Sequence, residues 1–285
     1  MTQLRQQMID AMRQRGFSVR THQSYLAAIV DLSRYYQRSP ARLSVDELQG
    51  YFKYLALERE LSGATCRLYL NAVRFLYLQV LKRPSFDVPL VIPKRAQRIP
   101  DLLTREEVGR ILRACPNLKH RTLLQTCYGC GLRVSEVVQL RVRHVDGERQ
   151  LLRIEQGKGA KDRLVIVTPG LLKKLRHYWS SYRPFDWLFP SGHDPSTHLG
   201  IGSAQRAFSR AKAQSGVEKV GGIHSLRHAY ATHQLESGLP VHQLQRLLGH
   251  DSLQSTMRYV HWVPTVQRGN TGYTDLISGL EVRHD

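Results

Sequence analysis

Apolar positions recur at helical spacing from the start of the chain. Residues 1–15 predict a helix that Gly16 ends. Ser18 or Thr21 is placed to cap the next helix, in which Tyr25, Leu26, Ile29, Leu32 and Tyr36 share a face. Ser44-x-x-Glu47 is a capping box ahead of Leu48, Phe52, Leu55 and Ala56. Gly63 and Thr65 open a fourth helix with Leu68, Val73, Leu76 and Leu81 on its apolar side. Arg20, Arg67 and Arg74 fall on outward faces. Four helices in about 80 residues are enough to close one small bundle core.

The pattern then breaks. Pro84, Pro89, Pro93 and Pro100 crowd one stretch that also carries Lys94, Arg95 and Arg98. Proline removes helical donors and favours extended chain, so residues 84–100 predict a basic linker, suited to lying along a phosphate backbone. Helical periodicity resumes at a second capping box, Thr104-x-x-Glu107, which opens a helix through Leu112. Another helix covers Leu118 to Tyr128; Gly129-Cys130-Gly131 breaks it, and a short helix starts near Arg133. Leu151 to Glu155 and Arg163 to Val167 alternate as strands joined by Gly157-Lys158-Gly159-Ala160-Lys161-Asp162, a hairpin or small antiparallel sheet. Helices follow over 171–182, 203–215, 225–236 and 241–248. The fold class is therefore mainly α with a small antiparallel β-sheet (α+β). The expected division is a helical unit at 1–83, the linker at 84–100, a second unit at 101–263 and a tail at 264–285.

Charge names the partner. Lys and Arg number 42 against 23 Asp and Glu, a net charge of +19 in 285 residues. An excess of that size, spread along the chain, is the electrostatic footprint of a polyanion binder, and nucleic acid leads. A membrane is not expected, since no apolar run approaches the roughly 20 residues needed to span one. The N-terminal residues are polar and basic with no apolar stretch behind them, which argues against a signal peptide. Four cysteines are too few for a disulfide framework, and a cytoplasmic protein is expected. Cys127-x-x-Cys130 has no second ligand pair for zinc, so both are read as small buried residues.

The chemistry-bearing residues lie in the second unit. His224 and Arg227 sit three apart on one helix face. Leu248-Gly249-His250 puts an imidazole just past a helix end, and Tyr259 follows in Thr256-Met257-Arg258-Tyr259. Upstream are Arg133, at a helix start, and Lys158, at the hairpin tip. Guanidinium forks match phosphate oxygens and can neutralise a pentavalent transition state. A tyrosine, weak as a nucleophile at its free pKa of about 10, needs a base or a positive field. Histidine supplies the base and lysine can protonate a departing 5′-hydroxyl. Metal-free phosphodiester cleavage through a phosphotyrosine follows as a coherent mechanism, whereas two-metal chemistry would need clustered carboxylates. His224 and His228 are spaced like half of a helical zinc site, but Ser225 stands where the Glu of that motif would be. No metal and no cofactor are expected.

The ordered blocks GCGLRVSEV, GKGAKDRLV, HSLRHAYATH, LLGH and STMRYVH resemble those of the tyrosine recombinase (phage integrase) family. The resemblance covers nearly the whole chain, and its first helices look like those of integron integrases and Xer-like enzymes. Residues 178–222 are too short for the extra helical insertion of integron integrases, which favours a recombinase of a mobile element or a chromosome. The resemblance implies an N-terminal core-binding (SAM-like) domain and a catalytic domain clamping a DNA duplex. It implies Arg133 and Arg227 as phosphate clamps and Lys158, with Lys161 as the alternative, as general acid. His224 and His250 become acid/base and phosphate-positioning groups, Tyr259 the nucleophile, and Glu136 a brace for the arginines. DNA contacts are expected at Arg20, Arg67, Arg74, Lys94, Arg95, Arg98 and Lys161. A homo-tetramer on two DNA duplexes is implied, exchanging strands through a Holliday junction in the bacterial nucleoid. The tail, with Thr274 capping Asp275-Leu276-Ile277, would dock on a neighbouring subunit.

Overall fold

The computed structural model describes residues 2–84, 100–155, 162–263 and 276–277. The chain divides into two compact units, 1–98 and 99–285, each with its own hydrophobic core. Among the described residues no helix is long and apolar enough to cross a membrane.

The first unit is helical. It comprises α1 (Gln3–Gln14), α2 (Val19–Tyr36), α3 (Val45–Leu57) and α4 (Gly63–Arg74). Ser18 caps α2 by accepting from the Thr21 N–H. Ser62, one residue ahead of the expected Gly63, caps α4. At α3 the capping box is complete: the Glu47 N–H donates to Ser44 Oγ, and Glu47 Oε2 accepts from the Ser44 N–H at 2.7 Å. Met8, Met12, Leu32, Leu48, Leu55 and Leu76 fill the core. Leu68, expected inward, is exposed; Cys66 and Val73 take the buried side of α4. After Arg74 the chain widens into a π-helical turn, Phe75–Val80, that buries three consecutive residues, Phe75, Leu76 and Tyr77. Arg20, Arg67 and Arg74 are all solvent-exposed, as their outward spacing predicts. Lys94, Arg95 and Arg98 lie outside the described residues.

In the second unit α5 (Arg105–Arg113), α6 (Leu118–Gly129) and the short α7 (Val134–Val138) precede a three-stranded antiparallel sheet. Its strands are β1 (Val145–Asp146), β2 (Leu151–Ile154) and β3 (Arg163–Ile166). The register pairs Leu152 with Val165 and Ile154 with Arg163, so Leu152, Ile154 and Val165 turn inward. Then come α8 (Pro169–Tyr182), α9 (Ile201–Gln214), α10 (His224–Glu236), α11 (Val241–Leu248) and α12 (Leu253–Trp262). The helix α12, which carries Tyr259, is not evident from periodicity. The central helix is α10, packed against α5, α6, α11 and α12. Nine of its 13 residues are buried, which is why its sequence shows no clean two-faced pattern.

All four cysteines are buried and free. Burial pushes the Cys127 and Cys130 thiols up to about 12, so they are inert packing groups. Leu276 and Ile277 also belong to this core, and the Ile277 side chain approaches the backbone at Gly129.

Candidate active site

Arg227 is the hub. It points from the first turn of α10 into the core and is 1% exposed. A buried guanidinium must spend its donors on acceptors. Nη1 donates to the Gly131 carbonyl at 2.7 Å and Nη2 to the Leu248 carbonyl at 2.7 Å. Both carbonyls lie at helix C-termini: Leu248 is the last residue of α11, and Gly131 follows the end of α6. Gly131 has φ +61°, and a side chain there would run into the Tyr230 ring. Gly249, also at φ +61°, ends α11, and a Cβ would come within 2.9 Å of Arg163 Cδ. Glycine is required at both positions for conformation and for space.

Beneath the arginines lies Glu136, buried on α7. Its carboxylate accepts from the backbone N–H of Arg133 at 2.8 Å and from Arg133 Nη1 at 2.7 Å. Arg163, at the start of β3, meets the same carboxylate bidentately at 2.9 and 2.8 Å and donates through Nε to the Leu247 carbonyl at 3.0 Å. Arg227 Nη1 is 3.8 Å away. Burial alone would raise the Glu136 pKa. The hydrogen bonds and charge of Arg163, the Arg133 N–H and the charge of Arg227 overcome it and hold the carboxyl at about 2. Glu136 is thus a fixed anion that spaces three cations. The same crowding acts on Arg227, whose pKa burial and Arg133 lower to about 10; it stays charged at neutral pH.

Three imidazoles and a phenol cover this floor. His250 accepts at Nε2 from Arg227 Nη2 at 3.0 Å, because a guanidinium can only donate. Its proton therefore sits on Nδ1 and goes to Thr256 Oγ1 at 2.8 Å. Burial, with Arg227 and Arg133, lowers its pKa to about 3. The Tyr259 ring lies parallel to His250, with centroids 6.3 Å apart. Its hydroxyl meets His228 Nδ1 at 3.0 Å. Burial raises the Tyr259 pKa while Arg227, Arg258 and Arg133 pull it down; the phenol is protonated at neutral pH inside a cationic field. His224 stands exposed at the rim, its ring edge-on to His228 at 4.5 Å. Surrounding protein atoms and the charges of Arg227, Arg133 and Arg258 lower its pKa.

Arg133, Glu136, His224, Arg227, His250 and Tyr259 are thus brought together from α7, α10, the end of α11 and α12. Lys158 and Lys161 lie outside the described residues. Two further residues belong here that the sequence does not single out. Arg163 reads locally as an ordinary strand residue, and its partner Glu136 is distant along the chain. His228 reads as half of a metal pair. Among the described residues no group of three or more His, Cys, Asp or Glu is placed to hold a metal ion. What the arrangement offers is a focus of guanidinium charge beside a phenol with an imidazole on its hydroxyl.

Comparison with known proteins agrees in both units. Residues 101–264 match the phage integrase family, and residues 4–87 match its N-terminal SAM-like domain. The chain is 41% identical over 266 residues to a Sinorhizobium fredii protein named as an integrase/recombinase, covering 91% of this chain and 84% of that one. It is 31% identical over 274 residues to the tyrosine recombinase XerD of Shewanella oneidensis, covering 88% and 89%. In fold it is similar to a lambda integrase dimer bound to a COC′ core site, with TM-score 0.71 at 18% identity over 87% of this chain and 90% of that one.

Proposed function

The chain belongs to the phage integrase family of tyrosine recombinases, and from that premise we propose that it cuts and rejoins DNA at a specific site through Tyr259. One observation carries this reading: a protonated, buried phenol is held among Arg227, Arg133 and Arg258 with an imidazole on its oxygen. In the proposed step Arg133 and Arg227 hold the non-bridging oxygens of one phosphodiester. Tyr259 Oη bonds to phosphorus, the P–O5′ bond breaks, and a 3′-phosphotyrosine forms. Lys158, or Lys161 in its place, gives the 5′-oxygen its proton, and His224 and His250 position the phosphate and move protons at the rim. Attack by a 5′-hydroxyl from a second duplex reverses the step. The phosphodiester energy stays in the covalent bond, so neither ATP nor a divalent cation is needed.

The supporting assignments follow from the same reading. Residues 1–83 form a core-binding domain, 84–100 a basic linker and 101–263 the catalytic domain. Phosphate contacts come from Arg20, Arg67, Arg74, Lys94, Arg95, Arg98 and Lys161. A homo-tetramer on two duplexes would exchange strands through a Holliday junction, in the cytoplasm on bacterial chromosomal DNA or a mobile element. Apart from Leu276 and Ile277, which pack into this chain's own core, the tail at 264–285 would dock on a neighbouring subunit.

The test is a nicked suicide substrate built from the inverted repeats flanking the gene, incubated in EDTA. Wild type should give a protein–DNA adduct that survives denaturation, and Tyr259→Phe none. An adduct that required Mg²⁺ would overturn the mechanism. Specific binding without cleavage would make the protein an idle DNA binder. Relaxation of supercoils without recombinant product would make it a topoisomerase of the type IB kind.

A further inference from the structure

A protonated phenol cannot attack phosphorus until something takes its proton. Arg227 can only donate, and it already engages the Gly131 and Leu248 carbonyls and His250. His250 has one nitrogen on Arg227 and the other on Thr256, and only its ring face lies parallel to Tyr259. His224 is exposed at the rim with its ring on His228. The imidazole nitrogen on the phenol oxygen is His228 Nδ1, at 3.0 Å.

We propose that His228 is a catalytic residue, the acceptor for the Tyr259 proton as the phenol attacks DNA. The inference rests on Tyr259 being the nucleophile. The placement follows from helix geometry. His228 lies one turn after His224 and adjacent to Arg227, so α10 presents a phosphate ligand and a proton acceptor from the same two turns. On α12, Tyr259 and Trp262 lie three residues apart. The Trp262 ring stands edge-on to both partners, 5.6 Å from His228 and 5.2 Å from Tyr259.

The proton balance is simple. With its own hydrogen on Nε2, neutral His228 accepts the phenolic proton at Nδ1 while the Oη–P bond forms, and becomes imidazolium. The proton returns to the phenol oxygen when a 5′-hydroxyl displaces it. The groups facing His228 are His224 and Arg227 from its own helix and Tyr259 and Arg258 from α12. Burial, and then His224, Arg227 and Arg258, hold its pKa at about 4, so before DNA arrives the ring is neutral and its Nδ1 lone pair is free of a proton. A phosphodiester bound by the arginines adds the negative charge that favours the imidazolium.

A substrate with a 5′-bridging phosphorothiolate isolates this half of the reaction, because a thiolate leaves without a general acid. Single-turnover adduct formation on it, from pH 5.5 to 9, should be nearly flat above pH 6 for wild type. In His228→Asn it should fall by about 10²–10⁴-fold at pH 7. The residual rate should rise roughly tenfold per pH unit, as hydroxide replaces the lost acceptor. DNA affinity should be unchanged in a gel shift, and imidazole in the buffer should restore part of the rate to His228→Ala. A His228→Asn enzyme that kept the wild-type rate and pH profile, or a loss that neither pH nor imidazole altered, would overturn the inference. Failure of wild type itself to form the adduct would instead overturn the assignment of Tyr259.

Discussion

Glu136 shows how one residue sets the character of a site. Three guanidinium groups would repel each other in the protein interior, and a single buried carboxylate lets Arg133, Arg163 and Arg227 coexist. Removing one partner of such a set leaves buried charge uncompensated, and Glu136→Gln should cost about 3–5 kcal/mol by urea denaturation at pH 7. The pH dependence has a definite sign. The folded pKa of about 2 lies below the ordinary 4.5, so the contribution is fully present above about pH 4.5 and declines as pH falls towards 2. The gap in stability between wild type and Glu136→Gln should therefore narrow between pH 6 and pH 3; a constant gap would show that the charge is not what matters. Arg133, His224, Arg227, His250 and Tyr259 could be picked out as candidates because their spacing forms recognisable blocks. Arg163 and the contact of His228 with Tyr259 could not, because each is defined by a partner that only folding brings near.

At the scale of elements, legibility followed how local the cause is. The capping boxes at Ser44 and Thr104 are written within four residues, and both form. The β2–β3 pairing follows from alternation around a glycine-rich turn. Three features have no local cause. The π-turn at Phe75–Val80 and the outward turn of Leu68 answer to packing within the first unit. Helix α12 has mixed polarity because Thr256 and Tyr259 are buried for their bonds to His250 and His228. The end of α11 is under the tightest constraint, since Gly249 must be left-handed and must also admit Arg163. Gly249→Ala should destabilise the protein by more than about 1 kcal/mol in thermal or urea unfolding. The same change should slow adduct formation, because His250 follows directly. An unfolding midpoint equal to wild type would refute the steric account.

Over the whole molecule the net charge of +19 becomes a binding property. The logarithm of the DNA association constant should fall linearly with the logarithm of salt concentration, with a slope of about −0.9 per phosphate contact. Exchanging exposed Arg67 for Gln should weaken binding evenly across sequences and reduce that slope by about one. A flat salt response would refute a phosphate-dominated interface. Both hydrophobic cores, and the β2–β3 pair of the sheet, were legible from patterning, whereas the two-residue strand β1 and the burial of Leu276 and Ile277 were not, since two residues carry no period. The sulfur atoms have a practical consequence. With every native thiol enclosed and held in its neutral form, alkylating dyes should leave the untouched protein unlabelled. A single cysteine introduced at an exposed position such as Ser209 would then accept a fluorophore selectively, and strand exchange could be followed optically without first stripping the chain of its own sulfhydryls.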